Sequence, residues 1–122
     1  MKEYFLKLFN YNEWANNQVI KKILNERFND EETIKLFSHL ISVQRMWLDR
    51  LLNKTIDYDV WQVYMPERFI TLSKENNKDW IKLLEMQSEE SITRIVKYTN
   101  TKGISYENSI EDIVTHVINH SS

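Results

Sequence analysis

Glycine and proline are nearly absent from this chain, and that scarcity constrains its fold more than any other feature. The 122 residues include one glycine, Gly103, and one proline, Pro66. A β-sandwich or a β-barrel needs many tight turns, and such turns draw on these two residue types. The composition therefore favours long helices joined by a few connections.

Two amphipathic helices are predicted in the first part of the chain. The first covers about residues 2–25, where apolar residues recur at helical spacing. Asn29 or Asp30 can cap the second helix, which runs to about Leu52. The connection between them is short, so the two helices should run antiparallel. The core-facing residues predicted for the second helix are Leu36, His39, Leu40, Val43, Trp47 and Leu51.

A long connection separates these helices from a third one. Residues 53–72 contain no extended helical period, and a connection of that length is unusual in a compact domain. Ser73 is the predicted cap of a third helix that reaches about Tyr98. The core face predicted for this helix consists of Trp80, Leu83, Leu84, Gln87 and Ile95.

A fourth helix is predicted over residues 110–122. It follows a polar turn, residues 99–109, and Ser109 with Asp112 gives the Ser/Thr-x-x-Asp/Glu capping pattern at its start. These helices predict an all-α protein, a four-helix bundle in which residues 1–122 form a single domain. The long second connection can return along the bundle as a crossover. Helices two and three would then be parallel, in an up-down-down-up topology.

All three histidines of the chain are predicted to lie on core-facing helical stripes. His116 and His120 are four residues apart on helix four, in line with Ile113 and Val117, and His39 lies within the stripe of helix two. Each could be a buried histidine that is hydrogen-bonded to a neighbour. Alternatively, the pair could chelate a metal ion that a third histidine from a facing helix completes. No Glu-x-x-His motif contains these histidines, which argues against a di-iron carboxylate site.

The four tryptophans are the largest side chains in the sequence. Trp14, Trp47 and Trp80 lie on helical stripes and are predicted to be core anchors. Trp61 lies in the long connection, where it could line the mouth of a pocket or plug one end of the bundle. The second role is the one we expect.

Several classes of function are disfavoured by what the sequence lacks. The chain has no cysteine, which excludes disulfides, thiolate metal sites and a cysteine nucleophile, so any thiol must arrive on a co-substrate. A net charge of −2 is a poor electrostatic footprint for nucleic acid. No apolar run is long enough to span a membrane, and the N-terminus has no signal-peptide pattern. These features fit a cytoplasmic protein that binds neither nucleic acid nor membrane.

Three segments of the chain resemble the DinB/YfiT-like family of metal-binding four-helix bundles. They are YNEWANNQ (11–18), SHLISVQRMWLDRL (38–51) and THVINHSS (115–122). The first matches the family's Tyr-Asn-x-Trp-Ala-Asn opening, and the second matches its helix-two histidine with an aromatic eight positions further on. The third matches the start of the family's HxxNHxxxHRGQ motif. The segments follow the family's order over nearly the whole chain.

The resemblance implies a divalent metal ion, nickel or zinc, as cofactor. The family binds its ion through one histidine of helix two and two histidines of the later helix, which here implies His39 and His120. The third ligand would fall at position 124, beyond Ser122, so we expect the last helix to be truncated. His116 matches a histidine of the motif that is not the usual ligand. Either His116 replaces the third ligand, or waters complete the site of His39 and His120, and the family pattern favours the second arrangement.

The resemblance also implies a range of functions. It indicates a metal-dependent enzyme in the stress response, hydrolase-like or a transferase that uses a low-molecular-weight thiol such as bacillithiol or mycothiol. Its partners would be a small-molecule substrate, a thiol co-substrate and a second copy in a homodimer, and no catalytic residue can be named. The alternative is a non-enzymatic, stress-induced bundle that serves for binding or dimerisation, with its histidines merely buried. Nucleic-acid binding is suggested only by the family's historical name, and the acidic charge balance argues against it.

Overall fold

The computed structural model describes residues 2–25, 30–100 and 102–121, without the side chains of His120 and Ser121. The described part is mostly helical and carries one small antiparallel sheet. The α-helices are α1 (Lys2–Leu24), α2 (Glu31–Leu51), α3 (Phe69–Glu85) and α4 (Ile110–Ser121). The strands, both between α3 and α4, are β1 (Ile95–Thr99) and β2 (Ser105–Ser109). The predicted all-α class is therefore approximately confirmed, but it did not include the small sheet.

Helices α1 and α3 pack side by side in opposite directions. Lys2 Nζ, at the start of α1, donates a 2.9 Å hydrogen bond to the carbonyl oxygen of Glu85 at the end of α3. Near the other end of the pair, Asn16 Nδ2 lies 3.5 Å from Ser73 Oγ. Residue numbers rise along α1 as they fall along α3, so the two helices are antiparallel.

Helices α2 and α3 run in the same direction. The rings of Phe37 and Phe69 lie 4.9 Å apart near the first turns of the two helices. Further along, the buried Trp80 Nε1 donates a 3.1 Å hydrogen bond to the carbonyl oxygen of Gln44. The numbers rise together along both helices, and the connection over residues 52–65 carries the chain back to make this possible.

Helix α3 begins earlier than predicted. Pro66 starts a 3₁₀ turn over Pro66–Arg68 that leads directly into α3 at Phe69. Proline is favoured in a first helical turn because its fixed φ suits the helix and its missing N–H would have no partner there. The prediction of Ser73 as a cap is wrong, since Ser73 lies inside α3 and is buried.

The predicted extension of the third helix to Tyr98 is also wrong. Helix α3 ends at Glu85, and β1 pairs with β2 so that Tyr98 lies opposite Tyr106. β-Branched and aromatic residues fit such a pleated, half-exposed surface better than a helix. The turn between the strands includes Gly103 at φ 79°, a conformation that glycine adopts readily. Ile95, predicted as core, is exposed on this hairpin.

The core consists of two apolar clusters. The larger joins all four helices and contains Phe5, Phe9, Leu48, Trp80, Leu83, Leu84, Ile92, Ile110, Ile113, Val114 and Val117. The smaller lies around the other end of α1 and α2 and contains Ile20, Ile23, Phe37, Ile41 and Phe69. Burial of this kind contributes about 25 cal/mol per Å² of apolar surface. Within the described ranges, no helix is both long and apolar enough to cross a membrane.

The predicted core face of α2 is rotated from the observed one. On α2 the buried apolar residues are Phe37, Ile41 and Leu48, whereas Leu36 is 51% exposed. Among the predicted tryptophan anchors, Trp80 is fully buried, but Trp14 is 59% exposed and is not a core residue. Trp47 lies between these extremes and packs partly buried against the larger cluster.

Helix α4 starts where the capping pattern predicts. Ser109 Oγ accepts a 3.1 Å hydrogen bond from the backbone N–H of Asp112, which satisfies one of the free donors of the first turn. The buried residues in the first turns of this helix are Ile110, Ile113, Val114 and Val117.

Candidate metal centre

The candidate metal ligand on α2 is His39, and the chain around it fixes its ring. Its Nδ1 lies 2.7 Å from the carbonyl oxygen of Val60, in the connection that runs back beside the helix. A carbonyl oxygen can only accept, so Nδ1 must carry the hydrogen of this bond. In the neutral ring the lone pair is then on Nε2, the nitrogen that can bind a metal ion or accept a proton.

Trp61 holds the same imidazole from one face. The two rings are stacked with centroids 3.5 Å apart and planes 7° from parallel. The turn that carries Trp61 is fixed by Asp59, whose Oδ1 accepts a 2.9 Å hydrogen bond from the Trp61 backbone N–H. Trp61 is 49% exposed, so the prediction that it plugs the bundle is wrong. It instead covers the side of the candidate ligand.

The connection is attached to α2 at further points beyond Val60. The backbone N–H of Tyr64 donates a 3.0 Å hydrogen bond to Ser38 Oγ, and Ser42 Oγ lies 3.4 Å from the Tyr64 hydroxyl. Ser38 and Ser42 are both buried on the face of α2 that contacts this connection. These bonds limit the motion of residues 60–64 and so fix the environment of the His39 ring.

His116 lies in a different place and is exposed. Its ring meets the edge of Trp47, with centroids 5.5 Å apart and planes at 72°. The prediction that all three histidines face the core is therefore wrong for His116. It lies one position away from the buried stripe of α4, which includes Val117.

His39 and His116 contact different parts of the molecule. Trp47, the neighbour of His116, is about two helical turns, roughly 12 Å, further along α2 than His39. His116 also lines a small cleft of about 210 Å³ with Tyr98 and Asp112. The described contacts thus place His39 against the long connection and His116 against the hairpin.

His120 is about one turn beyond His116 on α4, and its side chain lies outside the described residues. The predicted convergence of His39 and His120 therefore falls outside what the structure describes. Among the side chains that are described, no group of three histidine, cysteine, aspartate or glutamate residues could hold a metal ion.

The sequence did not predict a partly buried polar cluster that lies between α2 and α3. Arg45 donates from Nη2 to Asp79 Oδ2 and from Nε to Asn76 Oδ1, both at 2.9 Å. The buried Asn76 in turn donates from Nδ2 to the carbonyl oxygen of Ile41 at 2.9 Å. All three bonds cross the parallel helix pair, so the cluster fixes the register of α2, and hence of His39, against α3.

Together these features define a mostly helical protein in which one histidine of α2 is held in a single orientation by the connection. Comparisons of the chain with protein-family models, with curated proteins and with solved structures gave no match.

Proposed function

We propose that this protein is a metal-dependent enzyme of the DinB/YfiT-like kind, with a nickel or zinc ion held by His39 and His120. The observation that carries the proposal is the hydrogen bond from His39 Nδ1 to the Val60 carbonyl oxygen. Histidines that bind metals usually donate their other ring N–H to such an acceptor, which fixes the ring and the tautomer.

We further propose that the helices form a four-helix bundle of up-down-down-up topology. The antiparallel pairing of α1 with α3 and the parallel pairing of α2 with α3 support this arrangement. In such a bundle, α4 would bring its last turns towards the N-terminal half of α2. His120 would then approach His39. If α4 instead ran parallel to α2, its last turns would lead away from His39.

Between the two ligand sets that the sequence left open, the set without His116 is better supported. The His116 ring lies against Trp47, about two turns of α2 from His39. Water or substrate would then complete the ion's coordination, as in catalytic sites that keep open positions. The ion would supply Lewis acidity that activates a water or a thiol as a nucleophile.

The residues around His39 have roles that follow from their contacts. The Val60 carbonyl orients the ring and fixes its tautomer, and Trp61 covers one face of the imidazole. The chain has no cysteine, so in the transferase alternative the thiol belongs to a co-substrate. We propose a small-molecule substrate, a cytoplasmic location and a homodimer as the setting for this activity.

Metal titration of single-residue variants tests the proposal. The protein, stripped of metal with a chelator, is titrated with Ni²⁺ and with Zn²⁺ by isothermal titration calorimetry, alongside His39→Gln, His120→Gln and His116→Gln. We expect one site in the unsubstituted protein, a loss of at least about tenfold in affinity for the first two variants, and little change for His116→Gln.

The other outcomes are equally informative. An equal loss in His116→Gln would establish the alternative with three histidines. No binding by the unsubstituted protein, or binding that is insensitive to His39→Gln, would overturn the metal proposal and favour the non-enzymatic binding module.

A further inference from the structure

A cationic cleft lies at the C-terminal end of α2, between the long connection and the hairpin. Its volume is about 370 Å³. Three cationic side chains line it, namely Arg50, Lys54 and Lys97, and no aspartate or glutamate of the described chain does. We propose that this cleft binds a small organic phosphate monoester, with the phosphate on these three cations.

Arg50 is the residue that points most directly to an anion. Its guanidinium carbon lies 4.7 Å from the ring centroid of Trp47 and 5.1 Å from that of Tyr98. These two aromatic contacts hold the planar group in one place. Its Nε is buried and has no hydrogen-bond partner among the described residues. A buried charged donor without an acceptor is costly, and burial lowers the pKa of Arg50 from its ordinary value.

A phosphate in the cleft would be an acceptor for those N–H groups of Arg50 that line it, whereas the buried Nε is not open to a ligand. The guanidinium presents its N–H groups as a planar fork, which matches two oxygens of a phosphate at once. Lys54 and Lys97 add positive charge from the connection and from β1. Three cations favour a dianion over a singly charged carboxylate, because each additional charge adds to the Coulomb attraction.

Nearby negative groups reduce this attraction but do not cancel it. Asp49 is buried, does not line the cleft, and accepts a 2.7 Å hydrogen bond from the Tyr58 hydroxyl, so one of its oxygens is already occupied. Glu107 lies 3.5 Å from Lys97 Nζ, but both side chains are largely exposed and such a pair is weak. Against the three lining cations, these two carboxylates leave a net positive charge.

The C-terminal end of α2 should also repel an anion less than a helix end with unpaired carbonyl oxygens would. Its last carbonyl oxygens would repel a phosphate if they were free. The backbone N–H groups of Leu52, Asn53 and Lys54 instead bond the carbonyl oxygens of Leu48, Arg50 and Asp49.

The remaining lining suits the organic part of the ligand. Ile56 and the rings of Tyr58 and Tyr98 provide apolar surface. Asn100 uses its Oδ1 to accept from the backbone N–H groups of Lys102 and Ile104, which leaves its amide N–H₂ as a donor. The volume falls within the range of small-molecule pockets and exceeds what a lone phosphate would fill.

This site is separate from the candidate metal centre. Arg50 lies roughly 16 Å further along α2 than His39, as estimated from the helical rise. The proposal therefore does not depend on the metal proposal, and the two can fail independently.

Calorimetric titration with phenyl phosphate at low ionic strength, in a buffer with chelator, tests the inference. Phenol is the neutral probe and benzoate the singly charged one. The variants are Lys54→Met and Lys97→Met, with Lys102→Met as the matched control, because Lys102 is exposed on the same hairpin but does not line the cleft. A further variant, Arg50→Lys, keeps the charge but removes the planar fork.

We expect phenyl phosphate to bind, phenol not to bind, and benzoate to bind more weakly than phenyl phosphate. Lys54→Met, Lys97→Met and Arg50→Lys should each weaken phenyl phosphate binding about three- to tenfold, with folding verified by circular dichroism. Lys102→Met and His39→Gln should leave the affinity for phenyl phosphate within about twofold of that of the unsubstituted protein. The proposal is overturned if phenyl phosphate fails to bind, if benzoate binds as tightly, or if Lys102→Met weakens binding as much as Lys54→Met.

Discussion

The Nδ1 atom of His39 and the carbonyl oxygen of Val60 form a 2.7 Å hydrogen bond that joins α2 to the connection leading into α3. This bond assigns the ring hydrogen to Nδ1 and gives the connection a chemical role. The partly buried side chain of His39 is thereby oriented by a segment about twenty residues away in sequence. The same segment supplies Trp61, which stacks on the ring.

The first prediction concerns the tautomer of His39. Long-range ¹H–¹⁵N NMR at a pH where the ring is neutral should show the hydrogen on Nδ1. Asp59→Ala removes the acceptor of the Trp61 backbone N–H, so it should loosen the turn and raise the fraction of the other tautomer. Asp57→Ala, at an exposed position in the same connection, is the matched control and should change nothing. A ring hydrogen found on Nε2 in the unsubstituted protein would contradict the assignment.

The second prediction uses two tryptophans that the sequence treats alike and the structure does not. Trp80 is fully buried, stacks on Phe9 with centroids 5.4 Å apart, and donates to the Gln44 carbonyl oxygen. Trp80→Phe leaves a cavity and removes this additional hydrogen bond, so it should lower the free energy of unfolding by about 2–3 kcal/mol. Trp14→Phe, at a 59% exposed position, should change it by about 0.5 kcal/mol or less.

Urea denaturation followed by circular dichroism compares the two variants. Similar losses of stability in both variants would mean that Trp14 packs in the core, as the helical spacing alone suggests, and would contradict its exposed position.

The helical spacing in the sequence predicted where helices occur better than which way they face. The expected bounds of α1, α2 and α4 are close to those observed, and Ser109 caps α4 as predicted. The buried faces of the helices were harder to predict, because apolar residues occur on both sides of each helix. Leu36 and Trp14 therefore match the helical spacing yet are exposed. A shift of one residue rotates a helical face by about 100°.

The hairpin was missed because its apolar residues also fit a helical period. Ile92, Ile95 and Val96 are spaced by three and four, which extends the pattern of α3 past its true end at Glu85. β-Branched residues before the only glycine were the available signal for strands. Among the candidate ligands, the partner of His39 depends on the path of an irregular connection. No periodicity in the sequence encodes such a path.

The third prediction concerns the backbone of Asn53. It is the non-glycine residue with a positive φ, 58°, in the described chain, and it lies two residues after the last residue of α2. Asparagine tolerates this left-handed conformation better than alanine does. Asn53→Ala should therefore lower the free energy of unfolding by about 1 kcal/mol, while Asn53→Gly should stay within about 0.5 kcal/mol of the unsubstituted protein.

Asn25→Ala is the control for Asn53→Ala, because Asn25 is also an exposed asparagine that follows a helix but has no positive φ. Equal effects of alanine at both positions in urea denaturation would show that the left-handed conformation contributes nothing.

The fourth prediction concerns stability at alkaline pH and the Tyr58 hydroxyl. Burial, and then the hydrogen bond to Asp49, raise the pKa of Tyr58 above its ordinary value of 10.0. Below that value both the folded and the unfolded chain keep the proton, so the contribution of Tyr58 to stability is fully present. Above it the unfolded chain releases the proton while the folded chain keeps it, so stability falls as the pH rises.

Tyr58→Phe should separate this effect from the rest of the protein. At neutral pH the free energy of unfolding of the variant should be about 2 kcal/mol lower, because the buried Asp49 carboxylate loses its hydrogen-bond donor. Between pH of about 9 and 11, however, urea denaturation should show a shallower loss of stability in Tyr58→Phe than in the unsubstituted protein. Tyr106→Phe, on the exposed face of the hairpin, should retain the full alkaline loss. If Tyr58→Phe and the unsubstituted protein lost stability with the same slope, Tyr58 would already ionise in the folded state, and the wall that it forms with Asp49 would be open to water.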